Sequence, residues 1–314
     1  MSTEVDAALA LWGFDGAQVR FVAGRENQVF RVEHMGRVYA LRIKRKGYRS
    51  HAELTSELAW MAALGRAGVR VPAPVPSQQG AMLETVAGHD VDVLRWIDGP
   101  PLGQTGVPLN LPDAAATFQD LGQTLAHVHD ASDAWVQPDA FTRWAWDRDG
   151  LIGDTPVWGR FWENPTLSVE MRTLFEEVRE VAGQVLPDLA GTLDYGLIHA
   201  DPVRENILRT DAGLAVIDFD DGGFGFRLFD IATALLKNMD EPGYDALKQA
   251  LITGYRSRRA LDVTHLDLFL TLRALTYVGW IVPRLSEPGA EMRNTRFVTA
   301  AERLCRAYLD RRTG

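Results

Sequence analysis

The chain has 314 residues, 46% of them hydrophobic and 24% charged, enough for one large core or two modest ones and the composition of a globular protein. Its formal charge is −9 and its basic residues are scattered, so the positive footprint of a nucleic-acid binder is missing and a neutral or cationic partner is favoured. One cysteine, Cys305, excludes an internal disulfide and any cysteine-based metal cluster.

The first residues, MSTEVDAALALWGFDG, carry Glu4 and Asp6 and lack both a basic leader and an apolar run of signal-peptide length, so a cytoplasmic location is expected. From residue 19 to 98 the pattern is of short strands around one helix. Val19 to Ala23, Gln28 to His34, Arg37 to Ile43, Gly80 to Val86 and Asp90 to Ile97 are rich in β-branched or aromatic residues and bounded by Gly, Asn or Asp. The helix spans Ala52 to Leu64, with Leu54, Leu58, Met61 and Leu64 at three- and four-residue spacing and Gly65, Gly68 and Pro72 to stop it. After Gly99-Pro100-Pro101 helical periodicity dominates, at about 113 to 130, 167 to 185, 229 to 252 and 262 to 284. The apolar stretch Leu268 to Val282 is interrupted by Arg273 and too short for a bilayer, so it reads as a buried helix and no membrane partner is expected. One β-rich interruption, residues 196 to 219, breaks the helical run.

That interruption carries the chemistry. GLIHADPVRENIL holds His199, Asp201 and Asn206 in the spacing H-x-D-x-x-x-x-N, and AVIDFDD follows with Asp218, Asp220 and Asp221. NILRT and LAVID flank Asp211-Ala212-Gly213, a turn-forming triplet, and a hairpin centred on Ala212 sets Asn206 opposite Asp218. Oxygen ligands so placed suit Mg²⁺, which takes one or two carboxylates, waters and substrate phosphates. Asp201, five residues upstream, is then available to accept a proton, the division of labour of phosphoryl transfer. Each residue alone reads as a turn former or a strand end. Their joint order, spacing and hairpin context point to function.

On these segments, together with ENQVFRV, YALRIKRKGYRS, SELAWMAAL, VLRWIDG, LGQTLAHVHDAS, WGRFWENP, IDFDDGGFGFRLFDIAT and LRALTYVGWI, the chain resembles the aminoglycoside phosphotransferase and homoserine kinase-like family, and within it the branch of bacterial stress-response Ser/Thr kinases. The resemblance implies an α+β, bilobal, protein-kinase-like fold: a small β-rich N-terminal nucleotide-binding lobe with one main helix, residues 1–98, and a larger, mainly helical catalytic and acceptor-binding lobe, residues 99–314. It implies ATP and Mg²⁺ as cofactors and a hydroxyl acceptor. By the same resemblance Asp201 is the catalytic base, Asn206 and Asp218 are the metal ligands, and His199 is structural. Asp230 is either an N-cap or a buried residue that bonds the catalytic-loop backbone. Asn27 lies in the phosphate loop, where Gly24 is the one glycine, and Glu57 is the helix partner of the phosphate-binding cation. Leu94 to Ile97, with Arg95 and Trp96, is the hinge beside adenine.

Two departures from the protein-kinase pattern stand out. Aligning YALR with V-A-I-K puts Arg42 at the lysine position. Arg42 and Lys44 alternate onto one strand face, so both stay open as the phosphate contact, with Arg42 favoured by position and the two expected to lie too far apart to hold one phosphate oxygen. IDFDD places Asp220 where the kinase motif has glycine, adding a carboxylate as a further metal ligand. Eleven residues separate Asp218 from Asp230 and none is Ser, Thr or Tyr, so a phosphorylation-switched activation loop does not fit and a small-molecule acceptor is expected. Most of Trp144, Trp146, Trp158, Trp162, Tyr277 and Trp280 are expected to be core; any that face the site, with Asp220, Asp221 and Glu205, would suit an amino alcohol or hydroxy amino acid through cation–π contact and charge pairing. A Ser/Thr protein kinase and a non-catalytic nucleotide-binding protein are the alternatives.

Overall fold

The computed structural model describes residues 3–24 and 27–313. In chain order the elements are α1 (Thr3–Leu11), β1 (Gln18–Gly24), β2 (Asn27–His34), β3 (Arg37–Lys44), α2 (His51–Arg66), β4 (Leu83–Val86), β5 (His89–Arg95), α3 (Ala114–Ala134), β6 (Ala145–Trp146), α4 (Arg148–Ile152), α5 (Val169–Leu189), β7 (Tyr195–Ile198), β8 (Ile207–Thr210), β9 (Gly213–Val216), β10 (Gly223–Phe226), α6 (Arg227–Leu236), α7 (Tyr244–Arg256), α8 (Leu266–Trp280) and α9 (Ala290–Thr313). The fold is mixed α+β, with a β-rich N-terminal sheet and a helical C-terminal part.

The chain divides into two compact units. The first comprises residues 1–101, 131–143 and 207–220, the second residues 102–130, 144–206 and 221–314. A single cut at residue 98 therefore leaves out two later segments that belong with the first unit, and both carry residues of the site.

In the first unit an antiparallel five-stranded sheet has the order β1-β2-β3-β5-β4. β3 is central and pairs Arg42 with Asp92 of β5. Val32, Leu41, Ile43, Val91 and Val93 supply the sheet's side of a core closed by Val5, Ala8, Leu9 and Trp12 of the α1 region. α2 begins with a capping box: the Ser50 hydroxyl accepts from Glu53 N, and Glu53 Oε2 accepts from Ser50 N at 2.8 Å. Its buried Leu54, Leu58, Met61 and Leu64 follow the expected stripe. The β8–β9 hairpin pairs Ile207 with Val216 and closes at Thr210 with Gly213. This corrects the expected register by one residue, because the turn is the two-residue Asp211-Ala212 and not a triplet, with Gly213 supplying the positive φ of 113° next to it.

The second unit packs α6 and α9 against α8. The segment expected as one helix over 229–252 is two, separated at Glu241-Pro242-Gly243, where Gly243 has φ 79°. α9 was not expected. Leu266–Arg284 is long and apolar enough to cross a membrane by composition, and 78% of it is buried inside the protein. β6, β10 and β7 form a three-stranded sheet. β10 occupies the stretch after Asp221, and a Cβ on Gly225 would come within 2.5 Å of the Ile198 side chain, so a larger residue there would push that side chain aside.

Candidate active site

In the first unit the site is a knot of buried charge. Arg42 forms a forked pair with Asp92, Nε to Oδ1 at 2.7 Å and Nη2 to Oδ2 at 3.0 Å, and reaches Glu57 Oε1 of α2 at 3.0 Å. Lys44 Nζ lies 3.2 Å from Asp220 Oδ1, 3.4 Å from Asp92 and 3.8 Å from Glu57. Arg143, unanticipated from sequence, donates to the carbonyls of Phe219 at 3.0 Å, Asp220 at 2.8 Å and Glu53 at 3.1 Å, and lies 3.7 Å from Glu57. Asn27, opposite Lys44 in the β2–β3 ladder, donates to Asp220 Oδ2. Three cations thus face three carboxylates, of which Asp220, at 14%, is the most exposed.

Burial opposes the charges of Arg42, Lys44 and Asp220, and their neighbours overcome it. Asp92, Glu57 and Asp220 hold Arg42 above its ordinary value, and the same carboxylates raise Lys44 against burial and the Arg42 charge. Burial pushes the Asp220 carboxyl up, but Lys44 and Arg42 hold it far below the usual range. Arg42 and Lys44 converge on the same three carboxylates, which corrects the expectation that strand spacing keeps them apart: long side chains from alternate residues bend to one point. Asp220 has both oxygens engaged by protein donors, a poor state for a metal ligand. Asp218, two residues earlier, holds φ 67°, a left-handed conformation that costs a non-glycine residue about 1 kcal/mol or more. Phe219 anchors this turn edge-to-face on Trp60 of α2, with ring centroids 5.1 Å apart. At the hinge the amide of Arg95 donates to Ala73 O and that of Trp96 to Val38 O.

In the second unit Asp230 organises the catalytic loop. It sits in the first turn of α6, whose N-cap is Phe226, so it is not itself the cap. It accepts from the amides of His199 at 2.9 Å and Ala200 at 2.6 Å, and from His129 Nε2 at 3.0 Å, while His129 Nδ1 meets the Tyr255 hydroxyl at 2.7 Å. Burial pushes Asp230 up, and the His129 hydrogen bond and nearby His199 hold it lowered. The clamp sustains Ala200 at φ 65° and so aims the next residue, Asp201. His199 is fully buried and its Nδ1 accepts from Asp201 N at 3.2 Å, the structural role expected of it.

The Asp201 carboxylate is held on both sides. Oδ1 accepts from Arg273 Nη2 at 2.5 Å and lies 3.5 Å from the Tyr277 hydroxyl. Oδ2 accepts from Asn206 Nδ2 at 3.0 Å, and the same amide nitrogen donates to Asp201 O at 2.9 Å. With its nitrogen anchored, Asn206 presents its amide oxygen elsewhere, as a metal ligand must. Arg273, read from sequence as an interruption of an apolar helix, is fully buried and stacks 4.3 Å from the Trp158 ring and 4.2 Å from Tyr277. Arg284 covers Trp280 at 4.1 Å, Arg179 covers Trp162 at 3.8 Å, and Trp146 stacks on Phe229. Of the aromatic cluster, Trp146, Trp158, Trp162 and Tyr277 are thus buried core, Trp144 and Trp280 are half-buried, and the protein's own cations lie over Trp158, Trp162, Tyr277 and Trp280.

A family model described as phosphotransferase enzyme family matches residues 18–263. The homoserine kinase of Sinorhizobium fredii is 27% identical over 273 residues, covering 81% of this chain and 75% of the relative. Among solved structures, a microcompartment-associated aminopropanol kinase superposes with TM-score 0.85 at 30% identity, covering 99% of this chain and 98% of that one. An amicoumacin kinase in complex with AMP-PNP, Ca²⁺ and its substrate shares the fold at TM-score 0.74 and 22% identity, with 96% of each chain covered. The clamped Asp201 loop and the buried Glu57 cluster thus sit in a chain that belongs to the phosphotransferase enzyme family, and it is a kinase acting on a hydroxyl group.

Proposed function

We propose that this protein transfers the γ-phosphoryl group of ATP to the hydroxyl of a small amino alcohol or hydroxy amino acid. The observation that carries the reading is Asp201, fixed by Arg273, Tyr277 and Asn206 in a loop whose backbone Asp230 pins. A base in this role must meet the acceptor hydroxyl at one geometry, and such positioning is most of what a protein contributes to phosphoryl transfer. As the bond between the acceptor oxygen and the γ-phosphorus forms and the bond to the β-phosphate bridging oxygen breaks, Asp201 takes the hydroxyl proton and ADP departs.

Asp218 and Asn206 are the residues we assign to Mg²⁺, which when bound neutralises charge on the nucleotide phosphates. Asp220 leaves that set, since its oxygens belong to Lys44 and Asn27. We assign the phosphate contact to Lys44, with Asn27 beside it. Arg42, forked onto Asp92 and tied to Glu57, is the strut that fixes α2 against β3. A small acceptor is supported by the segment after Asp218, which enters β10 and α6 directly and offers no hydroxyl for a switching modification.

The test is ATP turnover measured with and without a panel of amino alcohols and hydroxy amino acids. Acceptor-dependent ADP release with a phosphorylated product supports the reading. Phosphorylation confined to a protein acceptor, or no acceptor-dependent turnover, overturns it.

A further inference from the structure

Lys237 follows α6 directly, and its ammonium lies 4.1 Å from the Tyr277 ring centroid and 5.1 Å from that of Phe297, two rings stacked 4.9 Å apart. Among the described residues no carboxylate lies within ion-pair distance of it, whereas Arg204 in the same unit pairs with Glu241 at 2.5 Å. The ring faces stabilise a cation but accept none of its three N–H donors in ordinary hydrogen bonds. Burial, then the Arg273 charge, lowers this amine to about 8, against the pull of Asp201 and Glu205 and with Arg296 adding to the depression. A sheltered ammonium without a counter-charge gains by taking an anion.

Its position relative to the reaction is given by the ring it shares. The Tyr277 hydroxyl lies 3.5 Å from Asp201 Oδ1 while the Tyr277 face carries the Lys237 ammonium. Base and cation therefore flank one side chain, the base at its hydroxyl and the cation at its ring face. Resting on the phosphotransferase reading above, we infer that Lys237 is the acceptor's anion-binding residue: the acceptor is a small alcohol carrying a carboxylate, which Lys237 holds while Asp201 takes the hydroxyl. A single negative charge fits better than a phosphate dianion, because Asp201 and Glu205 bear on the same ammonium. The alternative handle on an acceptor, its ammonium on an aromatic face, has lost its ground because Arg273 covers Trp158 and Tyr277 and Arg284 covers Trp280.

The experiment compares matched acceptors that differ only in the carboxylate: serine against ethanolamine, threonine against the aminopropanol it becomes without its carboxylate, and homoserine against its decarboxylated amino alcohol. Wild type, Lys237→Met and Lys237→Arg are assayed, with thermal melting to confirm that each variant folds. Wild type should favour the acid of at least one pair by about tenfold or more in kcat/KM, on the scale of a charge-assisted contact. Lys237→Met should erase that preference by raising the KM of the acid at least tenfold more than that of its carboxylate-free partner, and Lys237→Arg should restore part of it. Turnover that favours the carboxylate-free member, or a Lys237→Met loss shared equally by both members, overturns the inference while the phosphotransferase reading stands. No turnover with any acceptor overturns both.

Discussion

Lys237 of the second unit is stabilised differently from the buried cations of the first. In the first, Arg42, Lys44 and Arg143 meet the carboxylates of Glu57, Asp92 and Asp220. In the second, Arg273 and Arg204 likewise meet the carboxylates of Asp201 and Glu241, whereas Lys237 lies on the rings of Tyr277 and Phe297 with no carboxylate within ion-pair distance among the described residues. Carboxylate pairing is strong and directional and makes a rigid framework, but it neutralises the cation, so an incoming phosphate must compete for it. A ring compensates the charge and leaves the N–H groups unclaimed. The first arrangement builds a strut and the second keeps a cation ready for a ligand.

Substitutions on each side can break this contrast, and the largest effect is expected at the base. Asp201→Asn should lower kcat by about 10²–10⁴-fold while nucleotide affinity, measured by calorimetry, stays near wild type. Equal losses in both would remove the separate role given to this residue. Next, Asp92→Ala removes the forked partner of Arg42, leaving it Glu57 and Asp220, and should cost about 1–3 kcal/mol in denaturant unfolding, with Asp92→Leu combined with Arg42→Met recovering most of it. Lys44→Ala should leave stability less affected but raise the KM for ATP more than Arg42→Lys does. The reverse order would return the phosphate contact to Arg42.

On the ring-stacked side, Arg273→Met keeps much of the packing and removes the hold on Asp201 Oδ1, so kcat should fall about 10- to 100-fold with the KM for ATP unchanged. A smaller effect comes from pH. Lys237, which faces Arg273, Arg296, Asp201 and Glu205 with Tyr277 and Phe297 around it, binds an anion only when protonated. With its value lowered to about 8, the KM for a carboxylate acceptor should be constant below that pH and climb above it. Lys44 and Arg42 are raised instead, so the KM for ATP should stay flat over the same range. The weakest effect belongs to an exposed pair: Arg148→Ala, which breaks a 2.7 Å contact to Asp149 on the surface, should change stability by less than about 1 kcal/mol.

What the sequence made legible follows the range of the interactions involved. Strands β1, β2, β3 and β5 and helix α2 fall within two residues of expectation, because alternation, capping and glycine punctuation are local. The α6–α7 break was written in Glu241-Pro242-Gly243 and passed over, and α9 has Phe297, Ala301, Leu304, Cys305 and Tyr308 at helical spacing in a segment dense with arginine. At the site, His199 and Asp201 were legible because one short motif orders them, whereas the role of Asp230 came only through the family resemblance. Arg273 and Asp92 were not, since each acquires its meaning from a partner 72 or 50 residues away, and nothing in LFLTLRALTYV or DVDVLR says which carboxylate or guanidinium will be met.

The passage from Asp218 into β10 has a consequence for how much product the cell receives. Gly223–Phe226 is hydrogen-bonded to β7 on one side and β6 on the other, so the stretch that might have served as a covalent valve is woven into a sheet. Under the proposed chemistry, then, this stretch adds no covalent switch of its own, and the rate it permits follows the amounts of nucleotide and acceptor.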